Sequence, residues 1–122
     1  MERDGTNHVN VEVRRGSTPD VVILKATGPL TIRNFFEFQA LCRQQTEPVL
    51  LIDMSEVPYM DSAALGSLVG VHVSRMNSAK RYAIVGANER LQRMFEVTSV
   101  DDFLVTYPSV AEAEARLSNA VA

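Results

Sequence analysis

The chain has 122 residues, a formal net charge of −3, 46% hydrophobic residues and one cysteine, Cys42. That length makes one domain the natural expectation, large enough to bury a core without disulfide or metal. The acidic balance offers no overall field for nucleic acid or anionic lipid, and a lone cysteine excludes an intrachain disulfide and fits a reducing compartment.

Met1-Glu2-Arg3-Asp4-Gly5 lacks the apolar stretch of a signal peptide. No run approaches the roughly 20 apolar residues that span a bilayer, so a soluble cytoplasmic protein is expected. Residues 1–7 read as a flexible N-terminus, 8–118 as the domain and 119–122 as a flexible tail. Val9, Val11 and Val13 alternate with polar residues, which predicts a strand with one buried face. Gly16 and Pro19 mark a turn, and Val21 to Ala26 form a second strand, so the two make a hairpin.

After Gly28-Pro29, the residues Ile32, Phe35, Phe38, Leu41 and Cys42 recur at near-helical spacing and predict a helix with those side chains inward. Val49-Leu50-Leu51-Ile52 is a continuous apolar run, the pattern of a central strand covered on both faces, and Asp53 closes it. Asp61 and Ser62 open the next helix, with Leu65, Leu68, Val69, His72 and Met76 as its inward stripe. Tyr82 to Val85 is a further strand. Asn88 caps a short helix carrying Leu91, Met94 and Phe95. Phe103-Leu104-Val105 reads as the last strand. Ser109 and Glu112 form a capping box for a final helix with Val110, Ala113 and Leu117 inward. The result is an α/β domain in the order β-β-α-β-α-β-α-β-α. Its mixed sheet has four to five strands, parallel where helices intervene, and carries four helices.

The stretch Leu51-Ile52-Asp53-Met54-Ser55-Glu56-Val57-Pro58-Tyr59-Met60-Asp61-Ser62 resembles the core signature of the STAS family, in its anti-sigma-factor-antagonist form. The likeness continues through Leu65-Gly66, the strand with Gly86, Val97-Thr98 and the helix after Tyr107-Pro108. Ala63-Ala64 stand where the family commonly has Ser-Gly, and Thr31 follows a loop that often carries an acidic residue. The resemblance implies a binding switch that sequesters an anti-sigma factor with GHKL-type serine-kinase activity and so regulates transcription. Ser62 would be that kinase's substrate, and a phosphatase would reset it. Asp61, Ser62, Ala63, Gly66, Ser67, Gly70 and Thr31 would form the partner-binding surface. No catalytic residue, cofactor, metal or direct nucleic-acid or membrane contact is implied, and a homodimer stays open. The alternative is a non-switching STAS subunit of a stress-signalling assembly or of a membrane transport system.

The residues themselves leave two readings open at this site. Asp61 or Ser62 can serve as a helix N-cap, and the same position can carry a phosphate, because the helix dipole tolerates an anion there. The small residues Ala63, Ser67, Gly70 and Ser74, with Gly66 beside them, mark either close packing on a neighbouring helix or a smooth docking face. Elsewhere the chemistry is plain. His72 reads as a hydrogen-bonded, partly buried histidine, and His8 lies in the polar start. Asp53 reads as a loop-bonding carboxylate. A receiver-type role for it would need an earlier acidic pair and a later lysine, which Lys25-Ala26-Thr27 and Val105-Thr106-Tyr107 do not supply. No G-x-S-x-G elbow, Walker loop or dinucleotide fingerprint occurs.

Overall fold

Two strands joined at Gly16 set one edge of the sheet. In the computed structural model, which describes residues 10–121 with side chains through Leu117, β1 (Asn10–Arg15) pairs antiparallel with β2 (Val21–Thr27). Then follow α1 (Phe35–Gln44), β3 (Val49–Glu56), α2 (Ser62–Asn77), β4 (Arg81–Val85), α3 (Glu89–Val97), a 3-10 turn at Val100–Asp102, β5 (Thr106–Tyr107) and α4 (Val110–Val121). The expected flexible segment 1–7, His8 and Val9 lie outside the described residues, as does Ala122. Among the described residues, no helix is long and apolar enough to cross a membrane.

The sheet order is β1-β2-β3-β4-β5, with β2 to β5 mutually parallel. Each parallel step moves in the same direction through one helix, so right-handed crossovers place α1, α2 and α3 on one face. That face holds the larger core, where Leu24, Leu50, Ile52 and Ile84 meet Phe38, Leu65, Leu68, Leu91 and Phe95. The other face is closed by α4, whose Ala113 packs on Val21, Ile23, Val49, Leu51 and Val85. β3 lies between both layers, which is why Val49 to Ile52 can be apolar without alternation.

Several expectations shift in the structure. β1 forms as read, but Val13 is 53% exposed because no helix extends over this edge strand. Ile32 precedes α1 and is 65% exposed, since Thr31 and Asn34 turn the chain before the helix starts. β3 continues past Asp53 to Glu56. The inward face of α2 is Ala64, Leu65, Ser67, Leu68, Val71 and Arg75, so Met76 points outward at 61% exposure. The stripe turns because α2 packs on α1 as well as on the sheet. The last strand is Thr106–Tyr107, later than the expected Phe103 to Val105. Leu104 and the partly buried Val105 are core contacts that lead into it.

Two polar residues lock this arrangement from inside. Arg75 is 4% exposed. Its guanidinium donates to the carbonyls of Gln45 (3.2 Å), Glu47 (2.8 Å) and Arg81 (2.7 Å), tying α2 to the connection that precedes β3 and to the start of β4. Tyr82 receives the N–H of Val105 at 3.2 Å and contacts His72 Nδ1 at 2.8 Å. The tyrosine oxygen thus joins the Val105 backbone to the His72 ring. His72 is thus the half-buried, hydrogen-bonded residue expected.

Candidate functional site

The site forms where β2 and β3 end, because two loops leave those strands side by side. Gly28 adopts φ +98°, a left-handed turn that suits glycine. Its N–H donates to Glu56 O at 2.9 Å. Leu30 N then donates to Tyr59 O (3.2 Å), and Asp61 N donates to Leu30 O (3.1 Å). Leu30, Val57 and Met60 anchor the loops by burial in the core. Beside them opens a cleft of about 620 Å³, bounded by Thr27, Gly28, Thr31, Ile32, Tyr59 and Asp61 among others.

Asp61 holds the junction. One carboxylate oxygen accepts the Ala64 N–H at 2.9 Å and caps α2. The other accepts the Ile32 N–H at 2.9 Å and fixes the loop before α1. Asn34 braces that loop from below. It is buried, accepts the Thr31 N–H at 2.9 Å and donates to Pro29 O at 3.0 Å.

With capping assigned to Asp61, Ser62 is the first residue of α2 and is exposed. Gly66, one turn on, is exposed too, and nothing lies within 4 Å of where its Cβ would be. Ala63 and Thr31 are half-buried beside them. Ser67 and Gly70 behave differently. Ser67 is buried and its hydroxyl donates to Ala64 O at 2.7 Å. A Cβ on Gly70 would meet Gln39 Nε2 at 2.7 Å, and Gln39 itself reaches Ser67 O at 3.5 Å. The small-residue stripe therefore divides. Ser67 and Gly70 belong to the seam between α1 and α2, while Ser62 and Gly66 face outward.

The exposed surface also holds apolar side chains that the helical pattern assigned inward or passed over. Ile32 is fixed next to Asp61 by its backbone bond. Phe36, one helical turn on, is 71% exposed and stacks on Phe35 with ring centroids 4.2 Å apart. Tyr59 is partly exposed, with the Arg90 guanidinium 5.2 Å over its ring. The signal for Ile32 was present in the sequence: Thr31 and Asn34 are turn-forming residues, and they separate it from the helix proper.

Other candidate residues have structural duties. Asp53 is buried and accepts the Ser55 N–H at 3.0 Å, a bond within β3 itself and not to the loop that the sequence reading expected. Asn88 caps α3 by accepting from Leu91 N at 2.8 Å, and its amide group donates to the carbonyls of Val57 and Pro58. Cys42 is buried beside Arg75, and burial pushes its thiol up to about 12. Burial likewise raises the Tyr82 phenol. Among the described residues, no group of three or more His, Cys, Asp or Glu side chains could hold a metal ion.

Comparison with known proteins agrees with this architecture. Residues 12–113 match the STAS domain family. The anti-sigma-B factor antagonist of Listeria monocytogenes is 28% identical over 99 residues, spanning 80% of this chain and 87% of that protein. A Thermotoga maritima crystal structure, described as a candidate anti-sigma factor antagonist, superposes with a TM-score of 0.80 at 25% identity, over 88% of this chain and 94% of that one. An anti-sigma factor antagonist from Mycobacterium paratuberculosis shares the fold, with a TM-score of 0.80 at 16% identity over 95% and 99% of the two chains. The sheet order, the Asp61 junction and the family match converge: this chain belongs to the STAS domain family.

Proposed function

We propose that this protein is an anti-sigma factor antagonist, a binding switch whose regulated residue is Ser62. The reading is supported by relatives named for that role. The observation that carries it is the division of labour at the α2 N-terminus. Asp61 satisfies both the helix and the neighbouring loop, so Ser62 has no structural task and stands exposed.

Unmodified, the surface of Ser62, Ala63 and Gly66 with Thr31, Ile32 and Phe36 docks an anti-sigma factor that is also a serine kinase. That sequestration frees the sigma factor. The kinase then transfers phosphate to the Ser62 hydroxyl, and a phosphatase removes it, both in the cytoplasm. The catalytic groups lie in those partners, and this domain is their substrate. A phosphoserine adds about −1.5 to −2 charges. The helix N-terminus favours that charge and the Asp61 carboxylate opposes it, so the fold persists while a close-fitting partner meets a bulky anion.

The test is incubation with the GHKL-type kinase encoded nearest the gene, with ATP, followed by intact mass and peptide mapping. One phosphate on Ser62, absent in Ser62→Ala, is the expected result. An unmodified protein would overturn the mechanism.

A further inference from the structure

Among the described residues, β1 is the outer strand of the sheet. Gly16 N donates to Val21 O at 2.9 Å, and the register continues through Arg14 opposite Ile23 and Glu12 opposite Lys25. In an antiparallel ladder, hydrogen-bonded pairs alternate with non-hydrogen-bonded ones. Gly16 thus sets the parity of the strand. Asn10, Glu12 and Arg14 turn their backbone groups toward β2, while Val11, Val13 and Arg15 turn theirs outward. The bond from Val49 N to Asp20 O, on the other side of β2, agrees, because it directs the odd-numbered residues of β2 toward β1. A row of outward donors and acceptors is a template for another strand.

The side chains say which strand fits. Val11 and Val13 lie on the α1 side of the sheet, opposite Ala26 and Leu24, and Val13 is largely exposed. Glu12 and Arg14 lie on the other side, two residues apart and of opposite charge. We propose that β1 pairs antiparallel with β1 of a second copy of this chain, about a two-fold axis at Val13. In that register Val13 exchanges backbone bonds with Val13 of the second copy, and Val11 with Arg15. Glu12 then stands opposite Arg14 in both halves of the interface. These are non-hydrogen-bonded pairs, where opposing side chains approach most closely.

The flanking registers that keep the same backbone parity fail on charge. One places Glu12 against Glu12 and the other Arg14 against Arg14, and like charges directly opposite are unfavourable. Backbone and charge agree on the register centred at Val13. A single pair of short strands buries less than the roughly 1,200 Å² of a standard stable interface, so the dimer forms reversibly with concentration. It rests on the β1 edge alone and stands independently of the proposed switch, although Asn10 at the start of β1 also borders the cleft beside Asp61.

Sedimentation equilibrium on the full chain tests this, with thermal melts as a folding control. The wild type is expected to shift from monomer to dimer with rising concentration. Glu12→Arg and Arg14→Glu should each weaken association by about ten-fold or more. Mixing the two variants should restore it as a heterodimer, because each then meets its opposite charge. Val13→Pro removes an outward N–H without touching the β2 ladder and should also give monomer. A wild type that stays monomeric to about 1 mM overturns the proposal. So does a dimer that neither charge variant weakens, or a mixture that fails to associate.

Discussion

The Asp61 carboxylate binds the Ile32 backbone N–H at 2.9 Å across 29 positions of sequence, while its second oxygen caps α2 at Ala64 N. One side chain thus registers the start of α2 against the loop that leads into α1. Replacing it by alanine removes a cap worth about 1 kcal/mol and a further hydrogen bond worth about 1 kcal/mol. Asp61→Ala is therefore expected to lose about 2 kcal/mol in urea unfolding. Asp61→Asn, which keeps one acceptor, should fall between it and the wild type.

Ser62 offers the contrasting case. It is exposed and the cap is supplied by its neighbour, so Ser62→Ala and Ser62→Asp should each leave stability within about 0.5 kcal/mol. Affinity for the kinase partner, measured by calorimetry, should drop in Ser62→Asp and hold in Ser62→Ala. Equal affinity in the two variants would count against a switch at this residue.

The two glycines of α2 separate docking from packing. Gly66 has open space around its Cβ position, so Gly66→Ala should stabilise the protein by up to about 1 kcal/mol through helix propensity. Gly66→Leu should fold and lose partner affinity. Gly70→Leu must displace Gln39 in the α1–α2 seam and should cost about 1–3 kcal/mol, read as a lower melting temperature.

Arg75 reaches three backbone carbonyls from a buried position. Truncation to alanine leaves them without those donors and opens space behind them, a loss of about 3 kcal/mol or more. Arg75→Lys should recover only part of it, because one ammonium cannot span carbonyls on two separate segments as the planar guanidinium does. Denaturant midpoints of the two variants check the order.

Alkaline stability should follow Cys42. Its thiol is raised by burial from the ordinary 9.0 to about 12, so the native state holds the proton more tightly than the unfolded chain. Stability is full below pH 9.0 and is lost as pH rises toward about 12. The slope reaches about 1.4 kcal/mol per pH unit. Tyr82, also raised by burial, adds a loss of the same sign at higher pH. Urea midpoints taken from about pH 8 to about pH 10.5 should fall in the wild type and flatten in Cys42→Ala.

Much of this protein was legible before any coordinate. The unbroken apolar run Val49 to Ile52 demands cover on both faces, and strands alternating with amphipathic helices demand a parallel sheet with crossovers. Asn88 and Ser109 announced helix starts, because capping is local chemistry between a side chain and the next turn; Ser109 Oγ accepts the Glu112 N–H at 3.1 Å. The Asp61-Ser62 pair marked a helix start for the same reason, and the resemblance to the STAS family marked it as the site. Other features depend on which elements become neighbours. Val13 alternates like a buried residue, yet it lies on an edge that no helix covers. Ile32 keeps helical spacing, yet a turn held from a distant carboxylate lifts it to the surface. Arg75 carries a charge that no local pattern places inside, and only the convergence of carbonyls from the segment before β3 and the start of β4 makes its burial tolerable. That Asp61 or Ser62 caps α2 could be read from the chain alone, because capping is local; that Asp61 also holds the Ile32 N–H was decided by tertiary contact, because only in the fold does the loop before α1 meet the segment that follows β3.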